Sequence, residues 1–225
     1  MIPRDGRLAG FLALFAGELL FTYLVIAVVG KKALLNSAWL SPKFFVFQFS
    51  AFFQIGGALL RAHDGAFRFV RYPSVRKLNL HRLARSAVLA LCMTGILLLF
   101  SAAGLAAEGT AGPGAAGVLA AVCARYFLGL VVLGELTLIF SMARMHWLRR
   151  CPGLVSFALL ALEVLVAAPQ LRQLGGHRFC IVFSWVFCAN RPAGACALTV
   201  IAAGLWAYVL LTENGKDLCL CPPSF

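Results

Sequence analysis

Residues 86–106 read SAVLALCMTGILLLFSAAGLA and contain no charged side chain. A helix needs about 20 apolar residues to cross the hydrocarbon core of a bilayer, and this stretch is long enough. Its apolar residues are continuous, whereas the strands of a membrane β-barrel alternate apolar and polar positions. Because backbone amides left unpaired in lipid are costly, the run predicts a transmembrane helix.

The whole chain has the composition of a membrane protein. Of its 225 residues, 62% are apolar and 19 are Phe, whereas Asp, Glu, Lys and Arg together make up 12%. A soluble domain needs a more highly charged surface, and a disordered chain has far fewer apolar residues. The net charge of +12 therefore does not indicate a nucleic-acid partner. We expect residues 1–225 to form a single integral membrane domain.

The apolar runs predict six transmembrane helices in an all-α bundle. The predicted spans are 8–30, 44–60, 86–106, 118–142, 153–168 and 193–211. The first is longer than the apolar region of a signal peptide, so we expect a permanent span. A further apolar stretch, 179–187, is too short to cross the bilayer and predicts a re-entrant or interfacial helix before the last span.

The distribution of basic residues predicts the orientation. Thirteen of the 20 Lys and Arg residues lie in the termini and loops on the side of the N-terminus, and six lie on the other side. Cytoplasmic loops carry the excess of Lys and Arg, so both termini are expected in the cytoplasm. Lys31, Lys32 and Lys43 run against this trend. The chain is interpreted as a multi-pass protein of the cell membrane.

The most informative loop follows the second span. Residues 61–85 read RAHDGAFRFVRYPSVRKLNLHRLAR, with seven Lys or Arg residues and one acid, Asp64. Pro73 interrupts a helix arriving from the second span, and a new helix can begin just after it. Val75, Leu78 and Leu83 can share its apolar side, which predicts a short amphipathic helix on the cytoplasmic surface. A simpler interpretation is that the basic loop fixes topology and contacts anionic lipid.

A resemblance to a known family rests on three features: the stretch RYPSVRK at 71–77, the six-span plan and the short apolar element before the last span. The chain resembles the small six-helix permease subunits of ATP-binding-cassette exporters, of the type linked to bacteriocin or antimicrobial-peptide export and immunity. In that family the loop after the second helix is similar to a coupling helix that docks on the ATPase subunit. The resemblance implies an ATPase contact at Arg68, Arg71, Tyr72, Ser74, Arg76 and Lys77.

The chain has no G-x-x-x-x-G-K-[ST] loop with which to cradle ATP phosphates, so it is expected to hold no cofactor of its own. An exporter role implies ATP and Mg²⁺ on a separate ATPase subunit. It also implies a second permease subunit, the same or different, to enclose a transport path. The remaining expected partner is membrane lipid.

Four ionisable residues fall inside the predicted spans: Glu18, Arg125, Glu135 and Glu163. Ionisable groups are expensive in lipid and indicate a functional site by default. Arg125 and Glu135 are ten residues apart, about 280° around one helix, so they do not pair within it. Either the three Glu residues belong to a substrate path or subunit interface, or each packs in its protonated form against polar groups of a neighbouring helix.

The sequence offers little support for catalysis or metal binding. It lacks H-E-x-x-H, G-x-S-x-G and C-x-x-C, so no catalytic residue or metal ligand is predicted. A small lipid-modifying membrane enzyme stays an alternative, with His63, Asp64 and His81 as its candidate groups. A non-transporting accessory subunit of a membrane complex is a further alternative.

Cysteines and glycines add smaller indications. Cys180, Cys188 and Cys196 cluster near the last span, where either free thiols or a disulfide is possible. Glycine pairs at 56–57 and at 129 and 134 lie inside predicted spans, where they either permit close helix contact or serve ordinary packing.

Overall fold

A computed structural model describes residues 6–28, 41, 44–62, 75–107, 109, 112–143, 145–166, 182–187 and 191–211, and every element in these ranges is helical. The helices are α1 Gly6–Val28; α2, which starts as the π-helix Phe44–Phe49 and continues as the α-helix Ser50–Ala62; α3 Val75–Ala107; α4 Pro113–Met142; α5 His146–Arg150; α6 Pro152–Val166; α7 Phe183–Val186; and α8 Arg191–Leu211. The predicted all-α class is confirmed for this part of the chain.

Four helices are long and apolar enough to cross a membrane. The qualifying stretches are Leu8–Val25 in α1, Arg76–Ala107 in α3, Gly114–Met142 in α4 and Pro192–Leu211 in α8. The apolar stretches Phe44–Leu60 and Pro152–Leu165, in α2 and α6, are shorter. The architecture is that of a helical membrane protein, with four helices of spanning length and two shorter apolar helices beside them.

Helix α3 differs from its prediction. The expected surface helix after Pro73 and the expected span 86–106 form one continuous helix of 33 residues. At 1.5 Å per residue it is about 50 Å long, against about 30 Å for the hydrocarbon core of a bilayer. No proline interrupts residues 75–107, so nothing in the backbone forces a break between the amphipathic and apolar parts.

Helix α4 lies at the centre of the bundle and contacts α2, α3, α6, α7 and α8. Leu83 of α3, Leu138 of α4 and Val209 of α8 form a small buried cluster. The beginning of α3 therefore lies at the same end of the bundle as the ends of α4 and α8. We call this end the basic end, after the Arg and Lys residues with which α3 begins.

Aromatic rings hold α1, α2, α4 and α7 together nearer the opposite end. The ring centroid of Phe45 lies 4.7 Å from that of Tyr126 and 5.7 Å from that of Phe187. Phe49 lies 5.8 Å from Tyr126 and 5.6 Å from Phe15. These separations fall in the range where aromatic pairs attract one another, so the cluster fixes α2 against its neighbours.

Glycines from both predicted pairs lie at close helix contacts. A Cβ atom at Gly129 would lie 2.7 Å from Val186, and one at Gly56 would lie 2.7 Å from Phe11. A Cβ at Gly134 would collide with the hydroxyl of Ser86 on α3. Small residues thus let α4 approach α3 and α7 closely, as in other membrane helix pairs.

Candidate functional site

The first candidate site is the basic end of α3. Arg76 and Lys77 are exposed there. Arg68, Arg71, Tyr72 and Ser74 lie outside the described residues, so the structure describes two of the six residues predicted to contact an ATPase. Both are on a regular helix rather than on a loop.

The opposite side of the same segment attaches it to the bundle. Leu78 and Leu83 are buried, which confirms two of the three positions predicted for the apolar side. The buried Asn79 side chain donates a hydrogen bond from Nδ2 to Sδ of Met142, at 3.4 Å, near the end of α4. The start of α3 is therefore held against α4, while Arg76 and Lys77 are exposed.

Glu163 has a structural partner. Its carboxylate oxygen Oε2 accepts hydrogen bonds from the backbone N–H groups of Val182, at 2.9 Å, and Phe183, at 2.7 Å. The first N–H groups of a helix have no partner within it, and here a carboxylate from α6 supplies one for the short helix α7. Of the two interpretations of this acid, the structure favours packing against polar groups of a neighbouring element.

Glu18 makes a weaker contact. It is half-buried on α1, and its Oε1 accepts a hydrogen bond of 3.4 Å from Nε2 of Gln48 on α2. This bond is long for an N–H···O contact, so it adds little to the attachment of α1.

A buried polar network links α2, α4 and α6, and the sequence analysis did not identify it. Nε2 of Gln54 donates to Oγ1 of Thr137 at 3.0 Å, and the Thr137 and Ser156 hydroxyls lie 2.8 Å apart. The available signal was the occurrence of three uncharged polar residues inside apolar stretches, where such groups commonly bond across helices. The network is a structural connection, because its members satisfy one another.

Glu135 stands apart from the other intramembrane acids. It is 5% exposed, and no described hydrogen-bond donor reaches its buried Oε2. Arg125, also buried on α4, lies ten residues away, about 15 Å along the helix axis. The structure thus agrees with the expectation that this pair does not form within the helix.

A groove of about 400 Å³ lies over Glu135, between α3, α4 and α8. Leu80, Leu83, Val131 and Trp206 supply most of its apolar surface, and we call it the Glu135 groove. Small residues on the same walls keep it open: Ala84, Ala87, Ala202 and Ala203. Ser86 and Thr199 also line the groove. A carboxyl group and two hydroxyls in a mostly apolar groove of this volume have the composition of a small-molecule site.

Among the residues that the structure describes, the remaining candidate groups form no metal site or catalytic group. Within the described residues, no three His, Cys, Asp or Glu side chains are placed to hold a metal ion. His63 and Asp64 lie outside the described residues, and His81 is half-buried on α3. Cys196 is a free thiol, whereas Cys180 and Cys188 lie outside the described residues.

Comparison of the chain with known protein families, curated proteins and solved structures found no match.

Proposed function

We propose that this chain is the permease subunit of an ATP-driven exporter that moves a peptide or amphiphile across the cell membrane. In this proposal α2 and α6 cross the bilayer together with the four long helices, which gives six spans with both termini in the cytoplasm. A separate ATPase subunit supplies ATP and Mg²⁺, and a second permease subunit, the same or different, completes the path.

The observation that carries the proposal is the length of α3 combined with its charge. The helix exceeds the hydrocarbon thickness by about 20 Å, so its start extends beyond the membrane if the apolar remainder spans it. The exposed residues Arg76 and Lys77 lie in this extension. Because α3 has no break, a force applied there reaches the intramembrane part of the same helix.

Contacts inside the bundle would pass such a movement onward. Leu83 packs with Leu138 of α4 and Val209 of α8, and Asn79 bonds to Met142. A displacement of the α3 extension would therefore move α4 and α8 as well. This is the mechanical property that a coupling element needs, and anchoring to lipid does not require it.

The test is recovery of an ATPase with the tagged chain after crosslinking in cells that produce both. The retrieved protein should contain a phosphate-binding loop and should hydrolyse ATP. Charge reversal in the double variant Arg76→Glu and Lys77→Glu should lower its recovery by about tenfold or more, equivalent to about 1.4 kcal/mol.

The matched control reverses two other exposed basic residues, Arg149→Glu and Arg150→Glu in α5. This double variant should retain the ATPase. Equal loss in both double variants would indicate general attraction between basic loops and an acidic partner or lipid. If no ATPase is recovered with the unaltered chain, the exporter proposal is wrong.

A further inference from the structure

Glu135 combines deep burial, an unpartnered oxygen and an adjoining groove. A carboxylate removed from water without a compensating positive charge is strongly unfavourable, and within the described residues no hydrogen-bond donor reaches the buried Oε2 of Glu135. The other two intramembrane acids have bonds to Gln48 and to the start of α7. Among the three intramembrane acids, Glu135 is therefore the one that the described residues leave open to a ligand.

The nearest arginines of α3 do not point toward the groove. The α3 wall is formed by Leu80, Leu83, Ala84, Ser86 and Ala87. At 100° per residue, Arg82 and Arg85 lie about 130° and 170° from the mean direction of these five positions. They line a smaller, adjoining cleft that contains Gly57 of α2 and shares Leu83 and Ser86 with the Glu135 groove. The Cα–Cβ bonds of both arginines therefore point away from most of the α3 wall of the groove.

The walls of the groove indicate what size and polarity a ligand at Glu135 would have. Leu80, Val131 and Trp206 present apolar surface, and Trp206 adds an aromatic face that attracts cations. The volume of about 400 Å³ lies in the usual range of small-molecule sites, about 300–1,000 Å³. A neutral lipid chain would match the walls but would leave the carboxyl without a partner.

We propose that the Glu135 groove binds a lipophilic organic cation, with its charged centre at the Glu135 carboxylate and its apolar body against α3 and α8. The inference names a substrate class for the proposed exporter, and it rests on that function for the transport step alone. Binding itself needs no ATPase, so it is tested on the isolated chain.

The test measures saturable binding of tetraphenylphosphonium to the purified protein in lipid nanodiscs, corrected with excess unlabelled ligand for partition into lipid. The variant Glu135→Gln preserves the shape of the side chain and should weaken binding by about tenfold or more. Glu18→Gln, which removes an acid from α1 outside the groove, should leave the affinity unchanged. Tetraphenylborate, with the same shape and the opposite charge, should not bind saturably.

A second variant fills the groove without removing the charge of Glu135. Ala203→Trp places a large side chain on an exposed position of the groove wall and leaves Glu135 intact. It should also weaken tetraphenylphosphonium binding by about tenfold or more, and its melting temperature reports whether the fold is retained. Equal binding by the unaltered chain and Glu135→Gln, equal binding of the two tetraphenyl ions, or no saturable binding would overturn the inference.

These outcomes do not depend on the exporter proposal. Loss of binding in Glu135→Gln with ATPase recovery unchanged would support both proposals. If binding fails while Arg76 and Lys77 still govern ATPase recovery, the groove inference alone is wrong.

Discussion

Single residues decide how the intramembrane acids differ, because each carboxyl group meets a different neighbour. Glu163 receives two backbone N–H groups, Glu18 receives one long bond from Gln48, and Glu135 faces a groove. The sequence identified all three as candidates but could not separate them. The partner of Glu18 is 30 residues away in the chain and those of Glu163 are 19 and 20 residues away, and residue type alone does not predict such contacts.

The cap on α7 gives a stability prediction at this scale. Glu163→Ala leaves the N–H groups of Val182 and Phe183 without their partner, which should lower the free energy of unfolding by about 1–3 kcal/mol. Glu163→Gln keeps an oxygen acceptor and should lower it less. Thermal unfolding in detergent measures both.

Glu18→Ala is the control for this prediction, because it removes an acid with a single long bond. It should change the unfolding free energy by less than about 1 kcal/mol. An equal loss in Glu18→Ala and Glu163→Ala would mean that the two hydrogen bonds to α7 contribute no specific stability.

At the scale of elements, close approach between helices depends on residues without side chains. Gly134 on α4 meets Ser86 on α3, so the contact between these two long helices leaves no room for a methyl group. Van der Waals packing is a principal force between helices in lipid, where the surroundings are as apolar as the side chains. The contact at Gly134 therefore determines how α3 sits on α4.

Gly134→Ala should lower the melting temperature, since overpacking typically costs about 1–3 kcal/mol. The double variant Ser86→Ala and Gly134→Ala should recover most of the loss, because the nearest remaining side-chain atom, of Phe53, is 3.3 Å from the new Cβ. Thermal unfolding of the two variants checks this pair of results.

Gly95→Ala on α3 serves as a comparison, because a Cβ there has no neighbour within 4 Å. Its melting temperature should stay unchanged or rise, since Ala favours the helix more than Gly does. If the double variant is no more stable than Gly134→Ala alone, the contact with Ser86 is not the cause.

The sequence predicted part of the fold because apolar length is a local property. The spans containing 86–106 and 193–211 appear within α3 and α8, and the amphipathic side at Leu78 and Leu83 is buried as expected. The continuity of α3 was missed because the change from basic to apolar residues was interpreted as a boundary, although no helix breaker lies there. The groove was missed because its walls come from three helices distant in sequence.

In the molecule as a whole, the basic end and the Glu135 groove are built from the same helices. The basic end contains the start of α3 and the ends of α4 and α8, and these same three helices enclose the Glu135 groove. A partner that moves the basic end would therefore also deform the groove. This proximity is why a transport role connects the two proposals, although each is tested separately.

The exporter proposal requires the α3 extension to face the cytoplasm, and the accessibility of residue 77 shows which side it faces. Cells producing Lys77→Cys are treated with a membrane-impermeant maleimide before and after permeabilisation, and labelling of the unaltered chain is subtracted. If the α3 extension is cytoplasmic, residue 77 is labelled after permeabilisation and is not labelled in intact cells. Equal labelling in intact cells would place this end outside, which would contradict the proposed ATPase contact.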